Sequence, residues 1–112
     1  MQLKVVRNHP IDWEVARFNT FAKGTLVNLS GEEDVQFKGW YPAIIEGHET
    51  FVPKVFVCNG KLNRDYNPTE LKVKSGDVLK LQEIVNAWLI VTNAEGLTGW
   101  IPAECVVSAH QV

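Results

Sequence analysis

Apolar and polar positions alternate most clearly between Val78 and Ile84, where Leu79 and Leu81 face one way and Lys80 and Gln82 the other. That period of two marks a half-buried β-strand. The same alternation runs through Glu70-Leu71-Lys72-Val73. Short apolar, β-branched runs predict further strands at Lys4–Val6, Leu26–Leu29, Val35–Ile45, Thr50–Val52, Trp88–Thr92, Gly99–Ile101 and Val106-Val107. Turn residues separate them: Gly24-Thr25, Ser30-Gly31, Glu46 to Glu49, Asn59-Gly60, Asn67-Pro68-Thr69, Lys74 to Asp77, Asn86-Ala87 and Asn93 to Gly96. Gly39 predicts a bend inside the long run, and Ala103 to Cys105 one tight helical turn. Residues 12–22 fit either a short helix or a folded loop, with Trp13, Val15, Phe18 and Phe21 as the apolar positions. Sustained helical periodicity is missing. Many short strands joined by glycine-rich turns predict an all-β chain.

The pattern occurs twice. Gly24, Trp40, Gly47, Phe51, Pro53 and Val57 recur in order as Gly76, Trp88, Gly96, Trp100, Pro102 and Val106. A repeat of this kind is settled before other questions. It predicts two small units, 1–58 and 61–112, divided at Asn59-Gly60, the strongest turn dipeptide in the chain. Units this small sit near the lower size limit for folding alone. Each then leans on tryptophan and phenylalanine, of which the chain has four and five.

Charge and cysteine content narrow the function. The formal net charge of −2 is spread evenly over both halves, so no basic face tracks a phosphate backbone and nucleic acid is disfavoured. No apolar run approaches membrane-spanning length, and the N-terminus lacks a signal-peptide core. A cytoplasmic location with Cys58 and Cys105 apart and reduced is the expectation. His9, His48 and His110 lie far apart, without metal-ligand spacing. Nothing orders them with a cysteine into nucleophile, base and orienter, so neither catalysis nor a cofactor is expected. Glu32-Glu33-Asp34 reads as a solvated tip.

The second half, over 61–107, resembles a Src homology 3 (SH3) domain. The residues that carry the resemblance are Leu62 to Tyr66, Glu70-Leu71-Lys72-Val73, Gly76-Asp77, Trp88, Gly96, Gly99 and Pro102 to Val106. The first half is similar over 21–57, through Gly24-Thr25, Trp40-Tyr41, Gly47 and Pro53 to Val57. The departures are closer to the bacterial variant members. The resemblance implies two five-stranded antiparallel SH3-like barrels in tandem. It also implies a shallow aromatic groove that takes an extended protein or peptide segment, proline-rich ones among them. Tyr66, Trp88 and Pro102 match the groove of the second half. There Arg64 and Cys105 replace two tyrosines, and the acidic loop that grips a ligand cation is cut to Asn67-Pro68-Thr69. Trp40, Tyr41, Pro53 and Phe56 match that of the first half, beside a loop with Asp12 and Glu14. The first half is therefore expected to keep the larger ring surface and to carry binding. Trp100 and Phe51 are expected to pack. For Trp40 and Trp88, packing and binding roles both stay open. The other readings are a structural or self-associating module with buried grooves, including a homo-oligomer, and a cell-wall-binding relative, which the absent export signal disfavours.

Overall fold

The computed structural model describes residues 1–12 and 17–109. The expectations for Trp13, Glu14, Val15 and His110 lie outside them. The described chain is all-β, with antiparallel sheets, two short 3-10 turns and no α-helix. None of its elements is a helix long and apolar enough to cross a membrane.

Two compact units share the chain. One is built from Met1–Arg17 together with Thr69–Val112, the other from Phe18–Pro68. The sequence places a boundary at Asn59-Gly60. In the structure that dipeptide has φ values of 53° and 74° and closes a two-residue hairpin inside the second of these units. A two-residue turn with positive φ at both positions matches the twist of the flanking strands, so Asn-Gly signals a hairpin rather than a division between units.

In the discontinuous unit, β1 (Gln2–Val5), β7 (Val78–Val85), β8 (Trp88–Thr92), β9 (Thr98–Pro102) and β10 (Val106–Ser108) form one sheet in the order β10-β1-β7-β8-β9. The N-terminal strand is thus an interior strand. Leu3 stands opposite Leu79 on one side and Ser108 on the other. Alternation turns Leu3 and Val5 inward, where they join Leu71, Val73, Leu79, Leu89, Val91 and Ile101 in one core. The register of β7 on β8 slips between Leu81 and Glu83. Burial along β7 nevertheless keeps its period of two: Leu79 and Val85 are buried, and Ile84, on the face of Lys80 and Gln82, is two-thirds exposed.

The β7–β8 turn is Asn86-Ala87, with φ of 43° and 71°. A non-glycine residue in this region is strained by about 1–2 kcal/mol, partly offset by glycine's greater chain entropy. Ala87→Gly is expected to raise the stability of this unit by about 0.5–1 kcal/mol in a denaturant titration. A decrease contradicts the turn geometry. On β9, a Cβ at Gly99 would lie 3.0 Å from the Leu71 nitrogen and 3.1 Å from the Thr69 carbonyl oxygen. Both are backbone atoms that cannot step aside. Gly99→Ala is expected to cost about 1–3 kcal/mol in the same titration. Unchanged stability contradicts that close approach.

In the continuous unit, β2 (Asn28–Leu29), β3 (Trp40–Ile45) and β4 (His48–Pro53) form a three-stranded sheet, and β5 (Val57–Cys58) pairs with β6 (Lys61–Leu62). The strand expected from Val35 begins only at Trp40. Before it, the Asp34 carboxylate accepts the N–H groups of Gln36 and Phe37 at 3.0 and 2.8 Å, and Glu33 accepts that of Gly39 at 2.6 Å. The acidic tip thus holds a series of bends, an alternative to the ladder that Asp side chains offer.

The same turn chemistry recurs in both units. The Gly24 N–H donates to the Leu62 carbonyl and the Gly76 N–H to that of Val5, each at 2.8 Å. The Lys23 N–H donates to the Asp65 side chain and the Ser75 N–H to that of Asn8, each at 2.8 Å. Phe21 bridges to Tyr66 as Val73 bridges to His9. Trp40 stands opposite Pro53 as Trp88 stands opposite Pro102. Val5, Asn8 and His9 therefore take the parts that Leu62, Asp65 and Tyr66 take in the other unit.

Candidate ligand-binding surface

Around Trp88, in the discontinuous unit, several elements converge. β8 begins at this tryptophan, directly after the Asn86-Ala87 turn, and its ring is only partly buried. Pro102, opposite it, is buried and closes β9. His9 is fixed by backbone bonding, its N–H donating to the Val73 carbonyl at 2.9 Å. Its ring meets Trp88 edge-on, with centroids 5.8 Å apart and planes at 82°, a favoured aromatic arrangement. Glu70 is placed by its neighbours: the Leu71 N–H donates to the Trp100 carbonyl and the Trp100 N–H to that of Thr69. From there its carboxylate reaches His9, with Oε1 2.8 Å from Nε2. A carboxylate only accepts, so Nε2 carries the hydrogen. The side chains are 17% exposed for His9 and 37% for Glu70. One imidazole thus contacts both a partly exposed tryptophan and a partly exposed carboxylate.

In the continuous unit most of the matching groove residues are buried. Trp40 is 6% exposed, Phe56 and Tyr66 3% each, and Pro53 is fully buried. Phe56 and Tyr66 pack edge-to-face at 5.5 Å, and the Tyr66 hydroxyl donates to the Phe51 carbonyl at 2.6 Å. The Arg64 guanidinium lies 4.3 Å from the centroid of the Phe56 ring. Tyr41 is partly exposed beside the Lys54 ammonium, 5.4 Å from its ring. Phe51, expected to pack, is half exposed, whereas Trp100 is buried as expected. Of the two tryptophans expected to line a groove, Trp88 is therefore the more accessible, while Tyr41 and Phe51 supply the accessible rings of the continuous unit.

Of the sequence-derived site residues, Trp88 and Pro102 come together. Tyr66 does not join them; it belongs to the unit of Trp40, Tyr41, Pro53 and Phe56. His9 stands in its place beside Trp88. The signal for His9 was in the sequence: Lys4-Val5-Val6-Arg7-Asn8-His9 has the same order of lysine, apolar residue, arginine, Asn or Asp and ring as Lys61-Leu62-Asn63-Arg64-Asp65-Tyr66.

Cys58 is exposed and Cys105 buried, both as free thiols. Burial pushes the Cys105 thiol above its ordinary pKa, Glu104 adds to this, and Arg7 opposes it. A raised thiol pKa disfavours the nucleophilic thiolate. The His48 ring lies among Phe18 and Phe21, at 6.3 and 6.0 Å. Among the described residues, no three His, Cys, Asp or Glu side chains are grouped to hold a metal ion.

The family model of the variant SH3 domain matches residues 55–108, just under half of the 112-residue chain. An SH3-like domain, a general protein-interaction fold, is therefore present in this span. No curated protein and no solved structure matches the chain. The matched span runs through β6, whereas the strand that completes the sheet of Trp88 is β1.

Proposed function

We propose that the chain is a non-enzymatic recognition module, acting in the cytoplasm, that binds an extended protein segment at Trp88. The observation that carries this is the partly exposed Trp88, opposite Pro102 and in contact with the imidazole that holds the Glu70 carboxylate. Flat rings suit a pre-extended polyproline II ligand. The Glu70 carboxylate suits a lysine or arginine of that ligand through ion pairing, and the Trp88 ring suits it through cation–π attraction. Binding is expected to be micromolar or weaker, about −8 kcal/mol at most. The test follows backbone amide shifts during titration with proline-rich peptides bearing one arginine. Shifts at His9, Glu70 and Trp88 are the expected result. Shifts confined to residues 18–68 contradict it.

The continuous unit is read as a second SH3-like unit whose role is structural. The burial of Trp40, Pro53, Phe56 and Tyr66 favours that role.

A further inference from the structure

We infer that His9 is a positioning and specificity residue: its imidazole N–H fixes the Glu70 carboxylate while its ring contacts Trp88, and so sets the preference for a cationic ligand side chain. This rests on the reading of Trp88 as the binding surface. Three observations on one side chain carry it. His9 Nε2 reaches Glu70 Oε1 at 2.8 Å, its ring stands T-shaped to Trp88 with centroids 5.8 Å apart, and its backbone is held to Val73. An exposed glutamate samples several rotamers, and confining a rotamer-rich side chain on binding costs about 0.5–1.5 kcal/mol. Here His9 has confined it beforehand. With Oε1 engaged, Oε2 makes no hydrogen bond or ion pair among the described residues and is the oxygen offered to a ligand. The same imidazole restrains the indole, so one residue sets the distance between ring and carboxylate.

Tyr66, in the corresponding place of the other unit, sends its hydroxyl to a backbone carbonyl instead. A phenol at position 9 is longer than an imidazole and does not reproduce the N–H at the Nε2 position. The tyrosine-to-histidine difference between the units is thus a difference in what each can do with a neighbouring carboxylate.

Two variants of the full chain test this. His9→Phe keeps a ring and removes the donor. His9→Gln keeps a donor near the Nε2 position and removes the ring. The probes are a proline-rich peptide with one arginine and the same peptide with leucine there. The wild type is expected to favour the arginine peptide by about tenfold, a charge-assisted contact at a partly exposed site. His9→Phe is expected to reduce that preference below about threefold, while His9→Gln retains most of it. A merely structural histidine predicts instead that both peptides weaken equally, or that Gln fails with Phe; either outcome overturns the inference. A ligand-free readout separates this from failure of the binding reading. The Glu70 side-chain carboxyl carbon and the Trp88 indole N–H are expected to shift in His9→Phe, and the carboxyl signal to return towards wild type in His9→Gln. If neither signal moves, the inference is overturned whether or not any peptide binds.

Discussion

Fragments 1–58 and 59–112, expressed apart, are each expected to give no cooperative melting transition, and to regain one when mixed. Fragment 59–112 lacks β1, an interior strand of its sheet, and with it Leu3 and Val5, which are 5% and 0% exposed. Each such side chain contributes about 1.5–3 kcal/mol when fully buried. The ladder to β7 and β10 is lost as well, leaving two strands with unpaired edges. Fragment 1–58 lacks β6 and the buried Leu62 and Tyr66. Domains of this size have about 5–15 kcal/mol of total stability, so losses on this scale remove most of it. Independent, full-temperature melting of both fragments contradicts the interleaved arrangement. Circular dichroism melts of each fragment and of the equimolar mixture supply the comparison.

Trp40→Ala and Trp88→Ala are expected to part company. Trp40 is nearly fully buried in its unit, and a large-to-small change there costs about 3–5 kcal/mol, enough to unfold a small unit. Trp88 is only partly buried, so its removal forfeits less packing. Its expected cost is about 1–2 kcal/mol, in proportion to the smaller area it takes from water. Peptide binding is expected to vanish in Trp88→Ala with the amide spectrum still dispersed. Chemical denaturation and peptide titration of both variants decide this. A folded Trp40→Ala chain that no longer binds, beside a Trp88→Ala chain that does, reverses the assignment of the site.

Much of the strand pattern was legible because alternation and turn dipeptides are local. The strands at Leu79, Trp88 and Trp100 stand where the pattern puts them, as do the turn at Gly76 and the tight helical turn at Ala103. The pairing of each tryptophan with a proline was legible too, since Trp40 stands opposite Pro53 and Trp88 opposite Pro102. What stayed hidden was partner choice. Two segments, Lys4 to His9 and Lys61 to Tyr66, have nearly the same order of residue types, and local pattern does not say which sheet each completes. The Asn59-Gly60 hairpin settles it physically: a two-residue turn of positive φ forces β6 back onto β5, leaving β1 to complete the other sheet. The site inherits the same ambiguity. Linear order puts Tyr66 beside Trp88, and pairing puts His9 there. The strand expected from Val35 does not form before Trp40 because side-chain capping by Glu33 and Asp34 competes with the ladder.

The N-terminal segment, and not residues 61–66, completes the sheet that carries Trp88. Nuclear Overhauser contacts in the uniformly labelled full chain test it most directly. The account predicts cross-strand contacts from Leu3 to Leu79 and Ser108, and from the His9 ring to the Trp88 indole, with Leu62 in contact with Val57. Contacts from Leu62 to β7 and β10, with Tyr66 against Trp88, contradict it.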